Sequence, residues 1–386
     1  MSNPPVTVAI LDFRNVIANG SAEVLERHEQ YALALKHLSK NLDSNLIVLS
    51  STTPVSGRLA NTTNLKFKCL NTRRWNAVAY SFRSAKYLKM MSSTSLVLVA
   101  GDPWESSVAA ILTKLFLGGR HPIQIQVHAD IGDPNWARIS KINSLRRLLA
   151  AAVLRAAATV RTTTLTQGQN LVRMFGINPD KLVCMPVQLN LPSVAILNSE
   201  RSDPGCIGIL GRIHKDRGLE KVLETLKALS KEFPEISIVV AGDGPDLKWF
   251  KAELDKLFDQ KQIEFLGFVE REKLELFWRK CGILLSMAPT ESFGRAMREA
   301  LVRGIPVLAT ISAGSLELKA QTGGSGVVLI DKMDTPTDII LKYESAKSMR
   351  VDSGVIEEIL AENADIPLNL AKSWISMRHS TMNQNK

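Results

Sequence analysis

Nowhere in the 386 residues does an apolar run approach the ~18 needed to cross a bilayer. The first residues, MSNPPVTVAIL, lack the charged start and cleavage site of a signal peptide, so a cytoplasmic location is expected. Cysteine is scarce. Cys69, Cys184, Cys206 and Cys281 lie far apart in no paired spacing, which indicates neither a disulfide framework nor a zinc site and leaves them a packing role. No segment repeats, no tract is of low complexity, and only the tail TMNQNK reads as disordered. Acid is missing from one long stretch: between Asp43 and Asp102 there is none, while Arg58, Lys66, Lys68, Arg73, Arg74, Arg83, Lys86 and Lys89 all fall there. Residues 1–195 hold 22 Lys+Arg against 10 Asp+Glu, whereas the rest hold 26 against 28, so the first half carries +12 and the second −2. An anionic partner is expected for the first half. No nucleic-acid-binding motif accompanies the charge, so nucleic acid is not the expected partner.

The length suits two domains of roughly 150–200 residues each, and the hydrophobic share of 45% with mean hydropathy +0.02 is that of a globular chain. In the first half, strands read at Val6–Phe13, Leu46–Ser50, Ser95–Ala100, Ile123–His128 and Ala158–Leu165, separated by helical stretches such as Ala22–Asn41, Trp75–Met91 and Asn143–Ala156. Such alternation implies a parallel sheet covered by helices on both faces. The loop after the first strand, with Asn19-Gly20 where a helix begins, can offer backbone N–H groups to a phosphate, and it can equally be an ordinary turn. His128 ends a strand and is followed by Asp130 and Trp136, a loop position where ligands bind above parallel sheets, although a lone histidine can be structural. The stretch RRWNAVAYSFRSAKYLKM could lie on a membrane surface; we take it instead as a helix that packs Trp75, Val78, Phe82 and Ala85 with its cations in water.

Asn190–Gly205, rich in Pro, Ser and mixed charge, reads as a linker. Beyond it the alternation restarts: strand Cys206–Leu210, helix Gly218–Phe233, strand Ile236–Ala241, the turn Gly242–Pro245, helix Asp246–Leu257, strand Ile263–Leu266, helix Arg271–Lys280 and strand Ile283–Met287. The segment APTESFGRAMREALVRGIPVLAT, Ala288–Thr310, then sets Glu291 before a helix and Glu299 about two turns inside it. Phe293, Ala296, Met297, Ala300 and Leu301 make the buried face, so the glutamates lie off the core stripe. After Ile330 three short helical segments are expected, the last from Leu370 to Arg378.

In this order, GR…G, AGDGP, FLGFV, ESFG…E and G-x-PV resemble the retaining GT-B glycosyltransferases of family 4 (group 1), most closely from Gly211 to Glu317, with looser likeness in NGSAEVLERHEQYALAL, QVHAD and MPVQLNL. The resemblance implies two doubly wound Rossmann-like domains facing a cleft: 1–189 on the acceptor side, a linker at 190–205, and a nucleotide-sugar-binding domain at 206–369. Residues 370–386 would add a helix packing back on the first domain and a disordered tail. It assigns the ribose of a nucleotide to Glu299, the donor sugar to Glu291, and the diphosphate to Arg212 and to Arg217, which stands where the family usually has lysine. Backbone N–H groups near Ser292, Phe293 and Gly294 would be unpaired helix-start donors for sugar or phosphate. From the other domain Gly20 would close over the diphosphate, with one glycine where two are common, and His128 would approach the donor sugar. Gly242–Pro245 is read as structural.

The implied activity is transfer of a hexosyl-type group from a UDP-, GDP- or similar nucleotide sugar to a glycan or lipid-linked acceptor, with retention at the anomeric carbon. No nucleophilic carboxylate is nominated for it. No cofactor is expected, and the sequence has no Asp-x-Asp motif for a divalent ion at the diphosphate. The basic first half fits docking on an anionic membrane, the protein being peripheral on its inner face in the biosynthesis of cell-surface polysaccharide or glycoconjugate. A small-molecule or protein acceptor, a nucleotide-sugar epimerase and a non-catalytic nucleotide-sugar-binding protein remain as alternatives.

Overall fold

A computed structural model describes residues 5–40, 43–53, 64–73, 76–91, 95–189, 191 and 203–383. Arg58, Arg74, Trp75 and most of the expected linker lie outside the described residues. The chain forms two compact units, residues 1–188 with 364–386, and residues 189–363.

In the first unit the elements run β1 (Val6–Asp12), α1 (Ala22–Ser39), β2 (Asn45–Ser50), β3 (Leu65–Cys69), α2 (Ala77–Lys89), β4 (Ser95–Ala100), α3 (Glu105–Phe116), β5 (Ile123–Val127), α4 (Pro134–Arg138), α5 (Lys141–Ala156), β6 (Thr159–Thr162), α6 (Leu165–Phe175) and β7 (Leu182–Cys184). All pairings are parallel, in the order β3-β2-β1-β4-β5-β6-β7. Every residue of β1 is buried because both faces of the sheet are covered. Ala9 and Leu11 pack with α2, α3, α5 and α6. Val6, Val8 and Ile10 pack on the opposite face with Tyr31 and Leu35 of α1.

Two local features differ from the sequence reading. Strand β3 was not expected: its Lys66 and Lys68 are exposed while Leu65 is buried, the alternation of an edge strand whose lysines stay in water. Helix α2 also turns a different stripe inward. Tyr80, Ser81, Ser84, Ala85 and Leu88 are buried, whereas Val78 and Phe82 are exposed. Small residues win that face because α2 lies close against α3, where Ser81 Oγ donates to the Ala109 carbonyl at 2.9 Å.

The second unit runs β8 (Cys206–Leu210), α7 (Leu219–Glu232), β9 (Ser237–Ala241), α8 (Leu247–Leu254), β10 (Ile263–Gly267), α9 (Leu274–Lys280), β11 (Ile283–Ser286), α10 (Arg295–Leu301), β12 (Val307–Thr310), α11 (Ala313–Gln321), β13 (Val327–Ile330) and α12 (Pro336–Ser348). Its parallel sheet has the order β10-β9-β8-β11-β12-β13.

Beyond α12 a single helix, α13 (Ser353–Asn383), replaces the two further short segments expected, and it runs into the tail expected to lack structure. Pro367 inside it has no N–H for the Asn363 carbonyl. The helix continues because apolar residues are buried on both sides of the proline: Ile356 and Ile359 in the core of the second unit, then Ile366, Leu370, Ala371, Trp374 and Met377 in that of the first. At the crossover Asn363 clamps the backbone of Leu189, accepting from its N–H at 2.6 Å and donating to its carbonyl at 2.8 Å. Trp374 is fully buried, donates from Nε1 to Gln124 Oε1 at 2.9 Å and meets the Tyr31 ring edge-on at 6.3 Å. Trp374→Ala is expected to destabilise the first unit by about 3–5 kcal/mol, read as a lower denaturant midpoint with little change in slope.

Candidate active site

In a doubly wound sheet ligands bind beyond the carboxyl ends of the strands where the strand order reverses. In the second unit that point lies between β8 and β11, and the loops following these two strands carry Arg212, Arg217 and Glu291. The geometry of the loop after β8 is set by backbone crowding. A Cβ on Gly242 would lie 1.8 Å from the Gly211 carbonyl oxygen, so the β8 and β9 loops interlock main chain to main chain, with Ile213 N–H donating to the Asp243 carbonyl at 2.9 Å. Gly242–Pro245 is thus accounted for by packing. Beyond it Arg212 meets Asp216 at 2.9 Å and Arg217 meets Glu291 at 2.9 Å.

Glu291 is the hub. Its Oε2 takes the Arg217 guanidinium, and its Oε1 accepts the N–H groups of Gly294 at 3.1 Å and Phe293 at 3.4 Å. The helix-start donors expected to be unpaired at Phe293 and Gly294 are therefore bonded by the neighbouring carboxylate. Burial pushes the Glu291 carboxyl upward, but Arg217 and the two N–H groups outweigh it and hold the acid below its ordinary value. Phe293 is fixed from below: buried Arg298 stacks on its ring at 3.9 Å and donates to its carbonyl. Ser292 is buried beside it.

Helix α10 begins only at Arg295, so Glu299 sits little more than one turn inside it rather than two. Its side chain is 9% exposed, and the cation beside its carboxylate is Arg271, at 3.7 Å. Of the two arginines flanking Glu299 in sequence, Arg303 feels the charge of that carboxylate but bonds elsewhere. It donates to the Glu299 carbonyl at 2.8 Å and meets Glu275 at 3.3 Å. Asp216 and Arg271 were missed by sequence reasoning. Asp216 was legible as an acid four residues from Arg212, whereas Arg271 comes from a separate strand–helix connection that no spacing links to Glu299.

In the first unit the order reverses between β1 and β4. Asp12, also missed, closes β1 and gathers the loop that follows: its carboxylate accepts from Val16 at 2.7 Å, Ile17 at 3.0 Å and Ala18 at 2.8 Å. Burial outweighs these bonds and pushes its carboxyl up to about 6. An acid at a strand end before a turn-rich loop was the available signal. Asn15, in a left-handed conformation with φ 57°, accepts from Ser51 N–H at 2.8 Å and so straps the loop to the end of β2. Gly20 follows in this loop, and a Cβ there would lie 2.9 Å from Val24 of α1, so a side chain would push the loop off the helix start. His128 lies beyond β5 with its ring accessible and Nε2 3.2 Å from Gln126 Oε1. Protein crowded around it, then Arg161, Arg27 and His28, hold its imidazole well below the usual histidine value and hence neutral. Among the described residues no three His, Cys, Asp or Glu side chains come together as ligands for a metal ion.

The sign of the Glu291 shift gives a stability test. A carboxyl lowered in the folded state stabilises at pH values above its unfolded value of about 4.5, and that contribution disappears as pH falls through the lower folded value. Glu291→Gln is therefore expected to lower the melting temperature at pH 7 and to converge on wild type as pH drops below 4. A melting difference that stays constant across that range would contradict the pairing.

The described geometry can be compared with known proteins. Residues 198–352 match the family "Glycosyl transferases group 1". Among curated relatives, the alpha-monoglucosyldiacylglycerol synthase of Acholeplasma laidlawii is 30% identical over 112 residues, 28% of this chain and 27% of that protein. The sulfoquinovosyl transferase SQD2 of Arabidopsis thaliana is 31% identical over 121 residues, 31% of this chain and 22% of its own. The chain thus spans only about a quarter of the length of these relatives. In three dimensions the Anabaena protein Alr3699/HepE, solved in complex with UDP and glucose, aligns over 99% of both chains with a TM-score of 0.62 and 15% identity, a likeness of fold. The two parallel-sheet units and these neighbours give the chain the GT-B fold, and its second unit carries the match to the group 1 glycosyltransferases.

Proposed function

We propose that the protein moves a hexosyl-type group from a nucleotide-diphosphate sugar to a lipid-linked or glycan acceptor, with retention at the anomeric carbon. The observation that carries this reading is the Arg217–Glu291 pair at the strand-order reversal of the second unit, with Arg212 on the same loop as Arg217 and Glu299 in the helix that follows Glu291. Cleaving a sugar from a nucleoside diphosphate builds charge on the leaving phosphate, and two guanidiniums at the loop ends can stabilise it. Each is held in the free protein by a carboxylate, Arg212 by Asp216 and Arg217 by Glu291. A diphosphate arriving at Arg217 competes for that guanidinium and frees Glu291 Oε2 to accept a hydroxyl of the donor sugar. Glu299 can accept both ribose hydroxyls. In the same-face route, the acceptor hydroxyl oxygen bonds to the anomeric carbon as the carbon–oxygen bond to the diphosphate breaks. The hydroxyl proton passes to the departing phosphate oxygen, so no enzyme nucleophile is required.

The lipid side of the reading has its own support. Helix α5 exposes Ile142 (63%), Leu145 (69%) and Leu148 (73%) along one side, next to half-exposed Leu149, and from Pro134 to Pro179 the sequence has seven cations and no acid. An apolar row with cations beside it suits the headgroup layer of an anionic bilayer. A second copy of the chain would set the same cations against each other. Among the described residues no helix is long and apolar enough to cross a membrane, so attachment through α5 is peripheral.

Two measurements follow. Across a panel of UDP- and GDP-sugars, one donor is expected to raise the melting temperature of wild type, with Glu299→Ala weakening its affinity about tenfold or more. Equal stabilisation of both proteins would remove Glu299 from the donor site. In flotation with phosphatidylglycerol vesicles, wild type is expected to rise with the lipid at low salt and Leu145→Glu/Leu148→Glu to stay below. Binding that ignores both the substitutions and the salt would exclude the α5 surface.

A further inference from the structure

The first unit carries a second cationic centre, of which only His128 was expected at the donor sugar. Strand register places it. Gln126 of β5 is paired with Arg161 of β6, so the two side chains leave the sheet on the same face. His128, two residues past Gln126, follows on that face at the carboxyl end of the sheet. The same face is covered by α1, whose Tyr31 is buried in it, and Arg27 and His28 stand four and three residues before Tyr31, on its side of the helix. Electrostatically the four groups form one cluster: Arg27 and Arg161 act on both histidines, and His28 acts on His128.

Arg161 is 3% exposed and donates to the carbonyls of Met185 at 3.1 Å and Pro186 at 2.5 Å. Its nearest charged or polar influences are Tyr31, Arg27 and Cys184, and among the described residues no carboxylate forms an ion pair with it. A guanidinium buried among dipoles, with a second arginine close by, is costly when only carbonyls and a tyrosine compensate it. Tying down the turn after β7 needs donors but not a charge. Half-buried Arg27 donates to the Gln188 carbonyl at 3.2 Å, which brings it to the same turn. Both imidazoles are held below the usual histidine value; His28 Nδ1 donates to the Val24 carbonyl at 2.6 Å and His128 Nε2 to Gln126 Oε1 at 3.2 Å, so the second nitrogen of each ring is an acceptor that becomes a donor to phosphate on taking up a proton. The ring of His128 is accessible, so the cluster opens to solvent at the sheet end.

We propose that Arg27, Arg161, His28 and His128 form a phosphate-binding subsite of the first unit, which holds a phosphate group of the acceptor. Planar guanidiniums match the spacing of phosphate oxygens, and an anionic phosphate supplies the countercharge that the buried Arg161 has from no carboxylate. The word acceptor rests on the transferase reading; the phosphate site itself does not. A lipid headgroup phosphate and the phosphate of a small soluble acceptor share this chemistry.

The test is a titration of the full chain with inorganic phosphate at constant ionic strength, followed by calorimetry and by histidine ring NMR. Wild type and Glu299→Ala are expected to bind phosphate equally, and Arg27→Gln about tenfold more weakly. The ring signals of His28 and His128 are expected to shift with phosphate in wild type. Arg161→Gln, checked for folding by circular dichroism, is expected to abolish binding. Because that variant may unfold, Arg27→Gln at its half-buried position carries the decision. Phosphate binding that is unchanged in Arg27→Gln but lost in Arg217→Ala would assign all binding to the second unit and overturn the proposal, as would no binding at millimolar phosphate. Two further arms identify the source. Arg27-dependent retention on phosphatidylglycerol vesicles over phosphatidylcholine ones points to a lipid phosphate, and Arg27-dependent competition by glycerol phosphate points to a soluble one. If the subsite binds phosphate but no sugar is transferred, the transferase reading fails and the site stands.

Discussion

Every strand pairing described in the two units is parallel, and a parallel strand can be followed by another only after a crossover that lies on one face of the sheet. That constraint covers both faces with helices, makes the strands continuous apolar runs, and leaves only the strand ends open to ligands. The two carboxyl-end loop sets at the order reversals, after β8 and β11 in one unit and after β1 and β4 in the other, hold the charged residues that the cores exclude.

At those ends charge is never left to itself. Arg212 meets Asp216, Arg217 meets Glu291, Glu299 lies beside Arg271, and Asp12 collects three backbone N–H groups. Such pairs keep each group in a defined position before a ligand arrives, and a ligand of matching charge can take one partner from the other. Arginine at position 217 suits this arrangement, since a planar guanidinium can face a carboxylate and still offer other N–H groups to a phosphate. Buried Arg161 is compensated by carbonyls and a tyrosine, with no carboxylate in an ion pair with it among the described residues.

The element order and most strands were legible in the sequence because buried parallel strands are unbroken apolar runs. Where the signal was weaker the reading slipped for identifiable reasons. Strand β3 alternates lysine with apolar residues because it lies at an edge. Helix α2 buries Ser81 and Ser84 where larger Val78 and Phe82 looked like core, since a close helix neighbour selects small size over hydrophobicity. Helix α13 passes through Pro367 because burial on both sides of the proline outweighs one missing hydrogen bond.

The sequence by itself determined the class of fold, the loop positions of Arg212, Arg217 and Glu291 with Glu299 in the helix that follows, and the charge difference between the halves, because these depend on local periodicity and composition. Only the tertiary structure decided which carboxylate faces which cation. Glu299 lies beside Arg271 from a separate connection, Glu291 takes the backbone donors thought to be open, and Arg27 and Arg161, more than a hundred residues apart, reach carbonyls of the same turn. Pairings of that kind depend on which strands are neighbours and which way each side chain leaves its sheet, and no spacing along the chain encodes them.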